Sequence, residues 1–475
     1  MLKNHIYNSL TSTLELQFTE SQLIMLDGLS SFILCEEDDR VFILKGFAGT
    51  GKTTMINQLV RTLESFSIPS VLLAPTGRAA KVLMNYSGKA SYTIHKKIYR
   101  QKSQADGIGV FVLDKNLHKR TFFIVDEASM ISNQTAENSV FGSGRLLDDL
   151  LEYVYSGKEC RLILVGDTAQ LPPVGISLSP ALQRQSVENY GFIVMEFELT
   201  DVVRQAQNSG ILFNATALRR FIGQGDTSQF FRLSVDEFSD VERISGGELI
   251  EKLSFCYDTY GIFETIVLTR SNKRAILYNK GIRTSLLYRD AEIARGDILM
   301  IVKNNYYWSS QAEEMDFIAN GDIAEIVHIF GYENLYGFRF AEVSLRFLDY
   351  GDTEITCRII LDTLEAETAS MSQEDQTRLF HSISEDYTDI KNKRERWKKI
   401  REDSYYNALQ VKFAYAITCH KAQGGQWKTV FVDTGYLTES MLDRDFYRWL
   451  YTAFTRPQEK LYLVNFDKKF FSEEV

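Results

Sequence analysis

The sequence predicts an α/β protein with two doubly wound parallel-sheet cores and small β insertions. Short apolar segments of strand type recur along the chain, and a polar cluster follows each one directly, as at the ligand-binding edge of open α/β sheets. The segments form two series, one within residues 20–200 and one within 264–466. Only the first series contains a glycine-rich loop between a strand and a helix. The two cores are therefore expected to differ in what they bind.

Length and composition indicate a multidomain globular protein. At 475 residues the chain exceeds what one hydrophobic core usually holds, so we expect two to four domains. No apolar run reaches membrane-spanning length and no apolar leader is readable, so we expect a cytoplasmic protein with no membrane partner. The five cysteines form no paired motif, which fits reduced thiols and no zinc site. A net charge of −10 disfavours coating of nucleic acid by bulk charge, but it allows a local basic groove.

The glycine-rich loop follows an apolar strand segment, 41–44, and precedes a segment with apolar residues at helical spacing, 53–66. Its sequence GFAGTGKT fits the pattern G-x-x-x-x-G-K-[ST], whose glycines let backbone N–H groups turn onto phosphate oxygens. We expect Lys52 to reach the β and γ phosphates of ATP, and the Thr53 hydroxyl to coordinate Mg²⁺. The residues predicted to bind the nucleotide in this P-loop are Gly46, Ala48, Gly49, Thr50, Gly51, Lys52, Thr53 and Thr54.

A second strand supplies the carboxylates that such a site needs. The segment RTFFIVDEASM, 120–130, is an apolar strand that ends in Asp126 and Glu127. Carboxylates at strand ends lie at the ligand crevice of an open α/β sheet. We expect Asp126 to hold Mg²⁺ through its water shell and Glu127 to polarise the attacking water.

Further segments of the same kind complete the two series. In the first core they are VLLAPTGRAAK (71–81) and RLILVGDTAQLPPVG (161–175). In the second they are 264–283, 413–427, 429–434, 451–456 and 460–466.

Eight motifs, in this order and spacing, resemble those of the superfamily 1 helicases, and most of all the RecD and Dda type of the 1B branch. They are GFAGTGKT, LLAPTGRAA, TIH, VDEAS, GDTAQLPP, LTDVVRQ, TCHKAQGGQW and YTAFTR. The resemblance covers about residues 15–466. It implies RecA-like cores, ATP and Mg²⁺ as cofactors, and single-stranded DNA and duplex junctions as partners.

The resemblance also implies a domain layout. Residues 1–199 would form the first RecA-like core, 1A, with a small β insertion, 1B, at about 97–119. Residues 200–295 and 405–475 would form the second core, 2A. An inserted domain, 2B, would occupy 296–404, with an SH3-like barrel and a charged helical tract.

Four further residues acquire nucleotide roles from the resemblance. Gln22 would read adenine, and Gln170 would sense the γ-phosphate and link it to DNA. Arg204 and Arg456 would approach the γ-phosphate from across the cleft, where a planar, always-charged guanidinium suits transition-state charge. Gln426 departs from the family, because many relatives carry an acidic residue there.

Six positions match the strand contacts of this family. Short hydroxyls, backbone amides and an occasional histidine suit phosphate contact without base reading. The six positions are Pro75, Thr76, Thr93, His95, Thr418 and His420.

Two insertions leave alternatives open. Residues 97–119 read as a small β element, which is either a pin that splits the duplex, as in the RecD-like branch, or a plain surface hairpin. The tract 364–390 is acidic and helix-prone, and in the following segment 391–401 seven of eleven residues are basic. That basic cluster is either a phosphate contact or a solvated helix face paired with the acidic tract.

The leading functional hypothesis is an ATP hydrolase that moves along single-stranded DNA, 5′ to 3′ by resemblance, and unwinds duplex DNA, as in recombination or repair. The alternatives are a nucleotide-dependent switch or remodeller that acts on a protein partner, and an RNA helicase. The sequence names neither the pathway, nor a loading partner, nor the oligomeric state.

Overall fold

The computed structural model describes the chain except residues 1, 13–17, 102–110, 135–140, 203–208, 226–229, 312–314, 316 and 472–475. Up to residue 199 its helices and strands are α1 (Leu2–Ser12), α2 (Glu20–Leu34), β1 (Arg40–Gly46), α3 (Lys52–Ser65), β2 (Ser70–Ala74), α4 (Gly77–Ser87), β3 (Ser91–Thr93), α5 (Ile94–Ile98), β4 (Tyr99–Gln101), β5 (Phe111–Leu113), β6 (Phe122–Val125), α6 (Leu146–Ser156), β7 (Arg161–Gly166), α7 (Arg184–Glu188) and β8 (Ile193–Leu199).

The remaining elements belong to a second core and an inserted barrel. They are α8 (Gly210–Gly223), β9 (Val241–Ile244), α9 (Leu249–Tyr260), β10 (Thr265–Thr269), α10 (Asn272–Gly281), β11 (Ile298–Ile301), β12 (Ile323–Leu335), β13 (Phe338–Phe347), β14 (Thr353–Ile360), α11 (Gln373–Asp386), α12 (Lys393–Arg401), β15 (Leu409–Phe413), β16 (Ala416–Thr418), β17 (Trp427–Asp433), α13 (Arg444–Phe454) and β18 (Pro457–Val464).

The first core is a six-stranded parallel sheet in the order β3-β2-β6-β7-β1-β8. Its central strands β2, β6 and β7 are buried along their whole length, as expected when helices cover both faces of a parallel sheet. Separate hydrophobic clusters fill the two faces. The carboxyl ends of β1, β6 and β7 therefore lie side by side at one edge, where a ligand crevice forms.

The second core is a five-stranded parallel sheet in the order β16-β10-β17-β18-β9. Residues 451–456, which the sequence grouped with the strand segments, are not a strand. They form the end of helix α13 and the turn into β18. The helix begins at Arg444, after Asp443 caps it by accepting the Phe446 N–H at 2.7 Å.

The inserted domain is a closed barrel of β11 to β15. β15 pairs antiparallel with β11 and parallel with β14, so the barrel extends past residue 404, where the insertion was expected to end. The chain leaves the barrel after β14 to form the charged helices. It then has to come back and add β15, because without that strand the barrel would have open edges. These two parallel sheets and the small barrel confirm the predicted fold class.

The barrel contacts both cores. In the first core, Lys81 Nζ donates to the Leu348 carbonyl at 2.7 Å and pairs with Asp349 at 3.3 Å. In the second, Lys421 Nζ donates to Asn320 Oδ1 at 2.5 Å. The barrel thus contacts helix α4 of the first core and the segment after β16 of the second.

The insertion at 97–119 forms a two-stranded hairpin, in which β4 pairs antiparallel with β5. Its tip, residues 102–110, lies outside the described residues. At its base Phe111 lies 4.8 Å from Tyr306 of the barrel, measured between ring centroids, and Phe141 lies 5.6 Å from Phe317. An aromatic cluster therefore joins the hairpin to the barrel.

The charged tract forms helices α11 and α12, which pack on each other and on the barrel. Phe380 and Trp397 lie 5.0 Å apart, and Leu379, Ile383 and Ile400 are buried with barrel residues. Of the ion pairs that the structure describes, none joins the basic cluster 391–401 to the acidic tract 364–390; Lys398 pairs with Glu402. No helix among the described residues has the length and apolarity that a bilayer crossing requires.

Candidate nucleotide site and strand-facing loops

The P-loop joins β1 to α3 with a backbone that only glycine adopts readily. Gly49 and Gly51 have φ values of +73° and +86°. A Cβ on Gly46 would lie 2.8 Å from Lys52 Cγ, so the close approach of the loop to its lysine also requires glycine. No side chain caps α3 at Gly51, which leaves the first-turn N–H groups available to an anion.

Lys52 is turned back onto its own loop. Its Nζ donates to the carbonyl oxygens of Gly46 at 2.7 Å and Phe47 at 2.9 Å, and lies 3.8 Å from Asp167 Oδ2. To reach a phosphate the ammonium has to exchange these carbonyl acceptors for phosphate oxygens. The flexible four-carbon side chain of Lys52 can leave the Gly46 and Phe47 carbonyls without a change in the backbone.

Asp126 and Glu127 follow β6 directly. Asp126 accepts the Tyr86 hydroxyl at 2.6 Å and the Glu127 N–H at 2.9 Å, so its carboxylate is fixed in position. Glu127 is a non-glycine residue at φ +52°, the kind of backbone strain that often marks functional sites. Burial raises the pKa of the Glu127 carboxyl, and Arg456 is the neighbouring charge that opposes this most strongly. A carboxyl with a raised pKa, beside a cation, suits a general base.

The loop after β7 supplies Asp167 and Gln170. Asp167 is buried and accepts the Ala169 N–H at 2.9 Å and the Tyr451 hydroxyl at 2.7 Å. The Gln170 side chain is also buried, and its Oε1 has no hydrogen-bond partner among the described residues. A buried amide oxygen without a partner is costly, which indicates that a bound group completes its hydrogen bonding.

The second core reaches this crevice through the end of α13. Arg456 is buried and donates to the carbonyl oxygens of Gly425 and Thr452, both at 3.1 Å, within its own core. It lines the same cavity as Glu127. Arg204, the other predicted arginine, lies outside the described residues.

The two cores enclose a cavity of about 610 Å³. Its wall includes every predicted nucleotide-binding residue of the P-loop except Gly46 and Thr50, together with Gln22, Asp126, Glu127, Gln170 and Arg456. Thr50 is buried, and its hydroxyl donates to the Phe47 carbonyl at 2.8 Å. Gln426 is on the wall as well, with its Oε1 bonded to Gln458.

These residues fit a nucleoside triphosphate with Mg²⁺. The open N-terminus of α3 offers N–H donors to phosphate oxygens. The unpaired Gln170 oxygen is an acceptor, so its partner would be a donor such as the attacking water. Thr53 and Asp126 share the cavity wall and would hold Mg²⁺ together with the phosphates. Within the described residues, no group of three or more His, Cys, Asp or Glu side chains could hold a metal by itself.

Gln22 has a structural task in addition to its place on the cavity wall. Its Oε1 accepts the Thr19 N–H at 3.0 Å in a capping box that begins α2, and its Nε2 donates to the Thr50 carbonyl at 3.1 Å. Nε2 has a second hydrogen that could still reach a base.

The predicted strand-contact residues follow two edge strands and their neighbours. Pro75 and Thr76 come after β2, and Thr93 ends the adjacent edge strand β3, opposite Ala74. In the second sheet Thr418 ends the edge strand β16. The loop that follows β16 comes close to Thr76, because a Cβ on Gly424 would lie 3.3 Å from Thr76 Oγ1.

Two of these side chains already make hydrogen bonds that cap helices. Thr76 accepts the Ala79 N–H at 3.2 Å and caps α4, and Thr93 is buried and caps α5 by accepting the Lys96 N–H at 3.1 Å.

The two histidines in these loops are also perturbed. Burial lowers the pKa of His95 to about 4, and its ring packs on Phe141 at 4.7 Å. Partial burial lowers the pKa of His420, with Asp445 opposing. A contact of His95 with a phosphate would therefore be made by a neutral ring.

Sequence reasoning missed three side chains of this site: Tyr86, Asp167 and Tyr451. Asp167 had a readable signal, since it follows an apolar strand as Asp126 does. The two tyrosines had none, because a tyrosine in an apolar helix is usually a core residue.

Comparison with known proteins identifies two matching families. The AAA domain matches residues 33–244, and the UvrD-like helicase C-terminal domain matches residues 413–464. An uncharacterised protein of Acanthamoeba polyphaga mimivirus is 25% identical across 94% of this chain and 99% of its own length.

Two helicases are also similar in sequence. The ATP-dependent RecD2 DNA helicase of Deinococcus radiodurans is 31% identical over 42% of this chain and 24% of its own length. The ATP-dependent DNA helicase Dda of Enterobacteria phage T4 is 26% identical over 54% of this chain and 55% of its own length. The chain thus spans only about a quarter and about half of these two helicases. Together with the families, these matches confirm the resemblance that the eight motifs indicated.

Proposed function

We propose that this chain, a RecD- and Dda-like relative of the superfamily 1B helicases, is an ATP-driven translocase that moves along single-stranded DNA, 5′ to 3′, and unwinds duplex DNA. The observation that carries the proposal is the shared cavity. The first core lines it with Lys52, Asp126 and Glu127, and the second core with Arg456. Hydrolysis then depends on how the two cores stand relative to each other.

The first core performs the chemistry at the phosphate. Lys52 leaves the Gly46 and Phe47 carbonyls and neutralises the β and γ phosphates. Glu127 accepts the proton of the attacking water, for which its raised pKa gives it driving force. Bound Mg²⁺ would neutralise charge that develops on the phosphate oxygens.

The second core completes the site. Arg456 exchanges its carbonyl acceptors for γ-phosphate oxygens, where a guanidinium meets transition-state charge in a fixed planar geometry. Because Arg456 lies two residues after the end of α13, this exchange depends on how the helix is placed against the P-loop. Nucleotide binding is thereby linked to closure of the cleft.

The strand would lie across the loops after both edges of the sheets. Pro75 and Thr76 belong to one core and Thr418 and His420 to the other, so closure shortens the distance between two gripping points. Alternating grip during closing and opening would move the strand in one direction. The polarity itself comes from the resemblance to RecD and Dda.

The test is a pair of assays on the full chain. We expect single-stranded DNA to accelerate ATP hydrolysis at least about tenfold, in line with a reaction limited by closure. We expect unwinding of a duplex with a 5′ single-stranded tail, and none with a 3′ tail or blunt ends.

The other outcomes each contradict a part of the proposal. Hydrolysis that DNA leaves unchanged would favour a switch or remodeller that acts on a protein. Stronger stimulation by an RNA strand of the same sequence would favour an RNA helicase. Unwinding only from a 3′ tail would reverse the polarity and leave the rest intact.

A further inference from the structure

Tyr451 links the second core to the P-loop through one buried hydroxyl group. The residue lies on α13 and is fully buried. Its Oη accepts the Ala48 N–H at 2.9 Å and donates to Asp167 Oδ2 at 2.7 Å. A phenolic hydroxyl has one hydrogen to donate and lone pairs to accept, so both bonds have the correct direction. Ala48 and Asp167 both belong to first-core loops at the cavity.

The contact continues to the catalytic lysine. Asp167 is fixed by the Ala169 N–H on one oxygen and by Tyr451 on the other, and that second oxygen lies 3.8 Å from Lys52 Nζ. Hydrogen bonds to a charged, buried acceptor are among the stronger ones in proteins. The Tyr451 hydroxyl therefore helps to set the orientation of the carboxylate that faces Lys52.

Arg456 lies two residues after the end of α13 and is hydrogen-bonded to the last turn of that helix. The Arg456 N–H donates to the Ala453 carbonyl at 3.2 Å, and its Nε donates to the Thr452 carbonyl at 3.1 Å. Thr452 in turn accepts the Leu171 N–H of the first core at 2.9 Å. The position of the last turn of α13 therefore determines the position of the Arg456 guanidinium.

We propose that Tyr451 is a positioning residue for hydrolysis. Its hydroxyl anchors the last turn of α13 to the P-loop and to Asp167, and so sets the distance between Arg456 and the γ-phosphate that Lys52 binds. The inference rests on the proposed function, since it assigns Tyr451 to the same reaction.

Tyr447 provides a matched control on the same helix. It is also fully buried, but its Oη accepts the Phe231 N–H at 3.3 Å, inside the second core. Tyr447→Phe therefore removes a hydroxyl of equal burial that does not contact the P-loop. Both substitutions keep the ring and its packing.

The first measurement is steady-state hydrolysis with saturating single-stranded DNA. We expect Tyr451→Phe to lower kcat at least about tenfold, the factor that corresponds to one lost hydrogen bond to a charged group. The KM for ATP should stay within about twofold, because the contact acts on the transition state. Tyr447→Phe should keep kcat within about twofold.

The second measurement is a double-variant cycle with Arg456→Lys. If Tyr451 acts by placing the arginine, then Tyr451→Phe should cost less than about threefold once the guanidinium is gone. Independent losses that multiply would contradict a positioning role, and so would an equal loss of kcat in Tyr447→Phe.

The third measurement needs no activity. Amide hydrogen exchange of the P-loop should show faster exchange at Ala48 in Tyr451→Phe, with no change in Tyr447→Phe. Unchanged exchange would overturn the inference, whatever the kinetics. A wild-type protein without DNA-stimulated hydrolysis, but with the Ala48 protection lost in Tyr451→Phe, would instead overturn the proposed function and leave the contact standing.

Discussion

Both cores are parallel sheets covered by helices, yet they line the cavity between them with different structural elements. In the first core the ends of β1, β6 and β7 bring Lys52, Asp126 and Asp167 together. In the second core a main contribution comes from the end of α13 and the turn after it, where Arg456 lines the cavity and Tyr451 contacts the P-loop. In the proposed function the first core binds the phosphates, and the second core adds the arginine that hydrolysis needs. The comparison therefore predicts that binding and hydrolysis depend on different cores.

Removal of the P-loop lysine should have the largest effect, because it disables the core that binds. Lys52→Ala should lower hydrolysis about 1000-fold, the upper end of what one lost transition-state donor costs. Affinity for single-stranded DNA should be retained, since the predicted strand contacts lie elsewhere. The hydrolysis rate is measured by DNA-stimulated phosphate release, and the affinity by titration of a fluorescent single-stranded DNA.

The control is Lys89→Ala, in which a first-core lysine that bonds to Ser70 at 2.9 Å is lost instead. Full activity in Lys52→Ala would refute the assignment of the site.

Neutralising the base tests chemistry within the same core. Glu127→Gln should lower kcat about 100-fold, the lower end of what general-base catalysis contributes, because an amide cannot accept the proton of water. Nucleotide binding, measured with a fluorescent ADP, should persist. A turnover number equal to that of the parent would assign the base elsewhere.

Arg456→Lys tests the second core and so the comparison itself. It keeps the charge but loses the planar fork, and we expect single-turnover hydrolysis with saturating DNA to fall about tenfold, within the contribution of an arginine finger. Nucleotide affinity should change far less. Arg444→Lys, at the exposed start of the same helix, should retain the parent rate. An unchanged rate in Arg456→Lys would mean that the cleft does not close on this residue.

The smallest expected effect concerns the edge of the first core, where His95 lies in the aromatic cluster beside Asp149. Its pKa in the folded protein, about 4, is lower than the ordinary 6.5. Its contribution to stability is therefore complete above pH 6.5 and is lost as the pH falls through about 4. We expect the Tm difference between wild type and His95→Asn to shrink by at least about 2 °C from pH 7 to pH 4.5.

The reference for that comparison is His381→Asn, at an exposed histidine of α11. Its Tm should follow that of the wild type at each pH. A constant difference for His95→Asn would show that the ring is not held in its neutral form.

The sequence alone determined much of the first core. The P-loop, Asp126 and Glu127 were predictable because a strand, a turn and a helix N-terminus are local features, written in a few consecutive residues. The two sheets were predictable for the same reason, whereas the barrel was implied by the resemblance. The resemblance then indicated Gln170 and Arg456, which no local pattern would have singled out.

Only the tertiary structure decided which side chains meet. Arg456 lies more than 400 residues after Lys52 in the sequence, and Tyr451 reaches Ala48 and Asp167 only because α13 packs against the first core. His95, read from its motif as a strand contact, is packed on Phe141 and held neutral by burial. Periodicity and turn chemistry act over a few residues, but hydrogen-bond partners and pKa values depend on what long-range packing brings within a few ångströms.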